Sequence, residues 1–229
     1  MNELITINNL YLYKLNKEDV FDYILIEMNK KYNLKETTII MPSSGDDALS
    51  FANVICKNGY KALIVMSNDV DETILNDLNE FKIDIVLTPY ALGFESVIDM
   101  ANDIKLEIDN SLVLNLYEEK LNVSSYFKVI GPKIFNIIND FNYLLCPIDT
   151  GGAIVGLSKF FKMKSDCYTI GIKKKNNLSK ILDDDLIDEI VEIDNLNYEN
   201  IFEYAKGFMS NNIDEKALLI FGAKKLKNI

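Results

Sequence analysis

Thr37-Thr38-Ile39-Ile40-Met41-Pro42-Ser43-Ser44-Gly45-Asp46-Asp47 is the stretch that decides the fold. An apolar run of strand length turns through small residues into a helical pattern from Asp46 to Asn58. The same order returns at Tyr143-Leu144-Leu145-Cys146-Pro147-Ile148-Asp149-Thr150-Gly151-Gly152-Ala153, ahead of a helical pattern from Ala153 to Met163. A strand that turns tightly into a helix is the unit from which parallel sheets are built. A small-residue turn that opens a helix also favours anions, because unpaired backbone N–H groups and the positive helix end point at the ligand. Two such turns predict a carboxylate site and a phosphate site. Both also carry acids where an anion pocket would not want them: Asp46 and Asp47 in the first, Asp149 in the second.

The alternation extends outward from these two stretches. Strand-like runs are expected at Leu10 to Leu15, Thr37 to Met41, Ala62 to Met66, Ile83 to Thr88, Leu112 to Asn115, Tyr143 to Cys146, Tyr168 to Ile172, Glu189 to Ile193 and Ala217 to Phe221. Ala62-Leu63-Ile64-Val65-Met66 is apolar throughout, as a strand covered on both faces must be. Helical patterns run from Asp19 to Lys31, Asp71 to Asn79, Phe94 to Glu107, Lys133 to Ile138 and Tyr198 to Ser210. Asn58-Gly59 supplies a helix stop. Repeated strand–helix–strand units predict an α/β fold with parallel sheets and right-handed crossovers.

Composition narrows the chemistry. All 24 basic residues are lysine, and the chain of 229 residues has no histidine. That excludes Ser-His-Asp and Cys-His catalysis and any histidine-ligated metal. A net charge of −11 opposes nucleic-acid and anionic-membrane binding. No metal site is expected: Asp69, Asp71 and Glu72 read as first-turn helix acids. Asp183 to Asp185 and Lys173 to Lys175 read as solvated surface. Cys56, Cys146 and Cys167 lie in apolar settings and read as buried, reduced thiols of a cytoplasmic protein. The N-terminus has neither the basic nor the apolar region of a signal peptide.

Taken in order, these segments resemble the tryptophan-synthase-β superfamily, the fold-type II pyridoxal-phosphate enzymes that include cysteine synthase and threonine synthase. Ser43-Ser44-Gly45-Asp46-Asp47-Ala48 is similar to the family's Ser-Ser-Gly-Asn-Thr-Gly substrate-carboxylate loop. Gly59 to Met66 and Ile83 to Pro89 resemble its next two strands. Tyr126 and Gly131-Pro132-Lys133-Ile134 fall where the family has a tyrosine and Thr-Gly-Pro-Glu-Ile. Asp149-Thr150-Gly151-Gly152-Ala153, with Gly156, resembles the Gly-Thr-Gly-Gly-Thr phosphate loop.

The departures fall on chemistry. The family's Ser-x-Lys-Asp-Arg segment, which supplies the Schiff-base lysine, has no clear counterpart. An ungapped alignment of the first helix puts Glu18 on the lysine, and a shift of one residue puts Lys17 there. Lys17 also reads as an exposed lysine near a helix N-terminus, with Glu18 and Asp19 opposing any fall in its pKa. The family's loop asparagine becomes Asp46. The first glycine of the phosphate loop becomes Asp149, and its last threonine becomes Ala153. After Ile193 the chain is shorter than the family. Without the resemblance, Ser44 and Gly45 read as a helix cap, Gly151 and Gly152 as a turn for close packing, and Tyr126 as a core aromatic.

The resemblance implies two domains in a reduced fold-type II architecture. Residues 34–125 would form the smaller, and 1–33 plus 126–229 the larger, with the two loops facing one cleft. Three functions follow from these readings. The first is a degenerate member without cofactor, a non-catalytic subunit that binds a partner or a small anionic or amino-acid ligand. The second is an active lyase or transferase that holds pyridoxal phosphate on Lys17 and acts on a serine- or cysteine-like amino acid. The third is an unrelated nucleotide binder, disfavoured by the lack of a glycine-rich nucleotide motif. A homodimer, or a heteromer with a full-length relative, is expected from the family habit.

Overall fold

A computed structural model describes residues 4–45, 47–175 and 184–222. Asp46 and Asp183 lie outside the described residues. The chain divides into two compact units, one of Met1–Val20 with Leu116–Ile229, the other of Phe21–Asn115.

The unit Phe21–Asn115 is built on four parallel strands: β3 (Thr38–Pro42), β4 (Lys61–Ser67), β5 (Asp84–Thr88) and β6 (Ser111–Val113), in the order β5-β4-β3-β6. The two central strands are apolar on both faces. Ile40 and Val65 pack with Val97 and Ala101 of helix α4 (Glu95–Glu107). Strand alternation turns Ile39, Met41, Ile64 and Met66 to the other face, where all four are fully buried. Phe51 of helix α2 (Ala48–Asn58) meets Phe21 edge to face at 5.4 Å between ring centroids. Each ring removed from water in this way contributes roughly 1.5–3 kcal/mol. Gly59 ends α2 in the left-handed conformation its sequence position predicts. Helix α3 (Glu72–Asn79) starts on Asp71, whose carboxylate accepts from Thr73 N at 2.9 Å.

The second unit holds a six-stranded sheet. Its strands are β1 (Leu4–Ile7), β2 (Leu10–Lys14), β7 (Tyr143–Pro147), β8 (Tyr168–Lys174), β9 (Glu189–Ile193) and β10 (Ala217–Phe221), in the order β1-β2-β10-β7-β8-β9. Five strands run parallel; β1 adds an antiparallel edge through a turn in which Asn8 takes φ +52°. The sequence pattern does not predict β1, because four residues are too few for a visible period. Leu12, Leu145, Ile170, Ile172 and Leu219 form one face of the core with Ile201 and Ala205 of helix α8 (Tyr198–Asn211). The lysine run is tied to the neighbouring strand: Lys173 pairs with Glu192 at 3.2 Å and Lys175 with Asp194 at 2.7 Å.

The expected helix at Lys133 is the last part of a longer construction. Helix α5 (Lys120–Ser125) continues through a π turn (Tyr126–Ile130) into helix α6 (Gly131–Ile137). This segment packs on helix α7 (Gly152–Lys162) at glycine positions. A Cβ at Gly156 would lie 2.5 Å from Val123 O, and one at Gly131 would lie 2.6 Å from the Phe160 ring. Tyr126 is buried there, as a core aromatic.

The cysteines divide differently from the expectation. Cys146 and Cys167 are buried, but Cys56 is exposed, on the outer side of α2. An apolar sequence neighbourhood does not fix which helix face a residue occupies. Burial, reinforced by Asp188, pushes the Cys167 thiol up to about 12. Among the described residues, no helix is long and apolar enough to cross a membrane.

Candidate active site

In the unit that contains β2 and β7, parallel pairing fixes where the chemical groups emerge. Leu12 aligns with Leu219 of β10, and Leu219 with Leu145 of β7. β2 and β7 therefore end at the same edge of the sheet, with one strand between them. The chain leaving β2 reaches Lys17, and the chain leaving β7 enters Asp149 to Gly152. Such a carboxyl edge is where open α/β sheets hold ligands.

Lys17 opens helix α1 (Lys17–Asn29), which Asn16 caps by accepting from Glu18 N at 3.2 Å. The lysine is half-buried, not the exposed surface residue that its charged neighbours suggest. Its charge reaches the buried thiol of Cys146 at the end of β7: burial pushes that thiol up, and Lys17 pulls it back in part. Asp19 is engaged elsewhere, by Lys133 at 2.7 Å. One of the two acids expected to oppose Lys17 therefore carries its own counter-ion.

The loop after β7 is bound to a distant segment. Tyr117 Oη donates to Asp149 Oδ1 at 3.0 Å. Asn122 Nδ2 donates to Thr150 Oγ1 at 3.0 Å and to Leu116 O at 2.9 Å. Gly151 takes φ +80° and caps α7. A Cβ at Gly152 would lie 2.4 Å from Asn122 Nδ2, so this glycine is required by packing before any ligand is considered. Ala153 follows inside the first turn of α7. Tyr117 and Asn122 escape a reading of the sequence. They stand 32 and 28 positions from their partners, in a stretch without strand or helix periodicity.

The other loop belongs to the unit Phe21–Asn115. Ser43 is buried, and its Oγ accepts from Gly45 N at 3.0 Å. Gly45 takes φ +110°, and a Cβ there would lie 2.8 Å from Val70 Cγ2. Ser44 is exposed, and Asp47 occupies the N-cap position of α2 without a capping hydrogen bond from its side chain. The loop leaves β3 at the carboxyl edge of its own sheet. Each loop opens a helix as its sequence predicts, and Lys17 joins the Asp149 loop within one unit.

Pyridoxal phosphate can be tested against these residues. Lys17 fits the cofactor's aldehyde, and Gly151 with the start of α7 offers backbone donors to a phosphate. Asp149 does not fit. It heads the loop, two residues before the capping Gly151, and the resemblance puts a phosphate dianion on that loop. Two like charges at roughly 4 Å in a partly dry pocket cost on the order of several kcal/mol. The chain has no arginine to offset them. As a set, the loop residues do not fit a phosphate dianion.

Two units of parallel-strand α/β structure, each with a glycine loop opening a helix at its carboxyl edge, define a class of fold-type II architecture. The match to a family model agrees: residues 16–197 match the pyridoxal-phosphate dependent enzyme family, and the chain belongs to it. It is 29% identical over 134 residues to a cysteine synthase from Flavobacterium sp., covering 57% of this chain and 43% of that protein. It is 24% identical over 205 residues to cysteine synthase B from Campylobacter jejuni, covering 80% of this chain and 69% of the relative. The first alignment thus spans less than half of its relative. The fold is similar to that of an O-acetylserine dependent cystathionine β-synthase from Helicobacter pylori, with a TM-score of 0.78 and 18% identity over 93% of this chain and 86% of that one. A hydrogen sulfide-producing enzyme from Fusobacterium nucleatum gives 0.82 and 17% over 95% and 92%.

Proposed function

We propose that this cysteine-synthase-like protein is a non-catalytic member of its family, acting in the cytoplasm. It does not hold pyridoxal phosphate as a Schiff base. Its carboxylate loop, Ser43 to Asp47, binds a small amino-acid or anionic ligand, and the protein works as a subunit in a homodimer or beside a full-length relative. The observation that carries this reading is Asp149, a carboxylate at the head of the phosphate-type loop. The loss of the loop's last hydroxyl at Ala153 supports it.

One observation favours a second reading. Lys17 is half-buried and electrostatically coupled to the strand end beside that same loop, as a cofactor lysine would be. On this reading the protein is a lyase or transferase acting on a serine- or cysteine-like amino acid. Excess pyridoxal phosphate followed by borohydride, with mass-spectrometric mapping, separates the two. Scattered, substoichiometric labelling of surface lysines is expected. Stoichiometric labelling of Lys17 alone, with a yellow protein before reduction, would establish the second reading. Sedimentation tests the assembly: a clean monomer at micromolar concentration, alone and mixed with a full-length relative, would remove the subunit role.

A further inference from the structure

The residues around the Asp149 loop do more than fail to suit a phosphate. They bind the loop themselves. Helix α7 carries no acid in its first turn and has Lys159 and Lys162 in its last, so neither its first nor its last turn supplies a negative charge for its positive end. Asp149 stands two residues before the capping Gly151. Tyr117 fixes its carboxylate through a 3.0 Å hydrogen bond. From the same segment, Asn122 binds Thr150 Oγ1 and fills the space that a side chain at Gly152 would take. Its second bond, to Leu116 O, fixes the amide's orientation. One stretch of chain, Leu116 to Asn122, thus engages the loop by two separate hydrogen bonds.

We propose that Asp149 is an internal replacement for the phosphate: a carboxylate of the chain's own, held by Tyr117, that supplies the negative charge at the head of α7 and bars an external dianion from the loop. This rests on the functional reading above and gives it a physical cause. Removing the charge must then turn the loop into an anion site, because the left-handed Gly151 and the N–H groups of the first helical turn remain.

The test uses inorganic phosphate, which has no aldehyde and cannot label Lys17, so it probes the loop independently of Schiff-base formation. Phosphate is titrated by calorimetry into the full chain, into Asp149→Asn and into Asp149→Gly. Asparagine keeps an acceptor for Tyr117 while removing the charge. Both variants are expected to bind phosphate on the order of tenfold to a hundredfold more tightly than the parent, an effect that weakens as salt is raised. Tyr117→Phe, which leaves the charge in place, is expected to show no such gain. Equal phosphate affinity in the parent and Asp149→Asn would overturn the proposal, as would folded variants that gain nothing. If Asp149→Gly does not fold, Asp149→Asn decides. Failure of Asp149→Asn to fold would also overturn it, because a countercharge role does not require the carboxylate for folding. Labelling of Lys17 by pyridoxal phosphate would instead overturn the functional reading, whatever the phosphate result.

Discussion

The Ser43 and Asp149 loops follow one local plan and are held in different ways. Each leaves a parallel strand, passes through a glycine at positive φ and opens a helix of eleven residues. The Ser43 loop closes on itself, by a bond from Gly45 N to Ser43 Oγ two residues away. The Asp149 loop is closed from outside, by Tyr117 and Asn122. A loop that satisfies its own polar groups keeps its character wherever the strand–helix unit is placed. A loop completed by a distant segment takes its character from that segment. The two loops therefore diverge in this chain through what surrounds them as well as through their own residues.

Four substitutions break or sharpen this comparison, in falling order of effect. The largest belongs to the Asp149 side. Gly156→Ala puts a Cβ 2.5 Å from Val123 O, and backbone cannot give way as a side-chain tip can. A loss of about 3 kcal/mol by denaturant unfolding is expected, with α5 forced away from α7. On the Ser43 side, Gly45→Ala meets only side-chain tips, Val70 Cγ2 at 2.8 Å and Ile74 Cδ1 at 3.4 Å, but demands positive φ of a residue with a side chain. A loss of about 2 kcal/mol is expected by the same measurement. If Gly45→Ala proves the costlier, the externally held loop is not the more tightly constrained of the two.

The third acts on the far end of α7. Burial would raise the Asp188 pKa, but the hydrogen bond from Lys162 at 2.7 Å, with those from Thr169 N at 2.8 Å and Thr169 Oγ1 at 2.9 Å, leaves it below the usual carboxylate value. A depressed folded pKa contributes stability that is present above the unfolded value, near 3.9, and lost as pH falls through the folded one. Asp188→Asn is expected to cost about 1 kcal/mol at pH 7, with the exposure of the pair keeping the effect modest. The difference from the parent should shrink below about pH 4. A difference that holds constant down to pH 2 would remove the ionic part of this account. The smallest effect is expected from Tyr117→Phe, about 0.5–1 kcal/mol for one hydrogen bond at a half-buried site. A double-mutant cycle with Asp149→Ala, which removes the acceptor, measures that bond directly, and a coupling of zero would show that Tyr117 does not hold the carboxylate.

Much of the fold is legible from residue order. The apolar run at Ile39 to Met41 and the one at Leu63 to Met66 mark central strands because only a strand covered on both faces avoids polar positions. Gly59 marks the end of α2 because a left-handed cap tolerates little else. The strand β1 escapes because its four residues acquire meaning only from pairing with β2. The π turn at Tyr126 escapes because it is a packing adjustment against α7, without a sequence period of its own. At the candidate site, the sequence marks both loops as helix openings. It misjudges the setting of Lys17, since the counter-ion of Asp19 lies 114 positions away, at Lys133.

The sequence by itself determined the alternation of strands and helices, the two glycine loops and the acid at the head of the second. These are properties of neighbouring residues, and periodicity and turn chemistry act at that range. Only the tertiary structure decided that Lys17 is half-buried at the sheet edge where the Asp149 loop emerges. It alone decided that Tyr117 and Asn122 hold that loop, and that Gly152 and Gly156 are small because another helix presses on them. Burial, close approach and countercharge are set by which segments the strand order brings together, and no local pattern in a chain encodes that order.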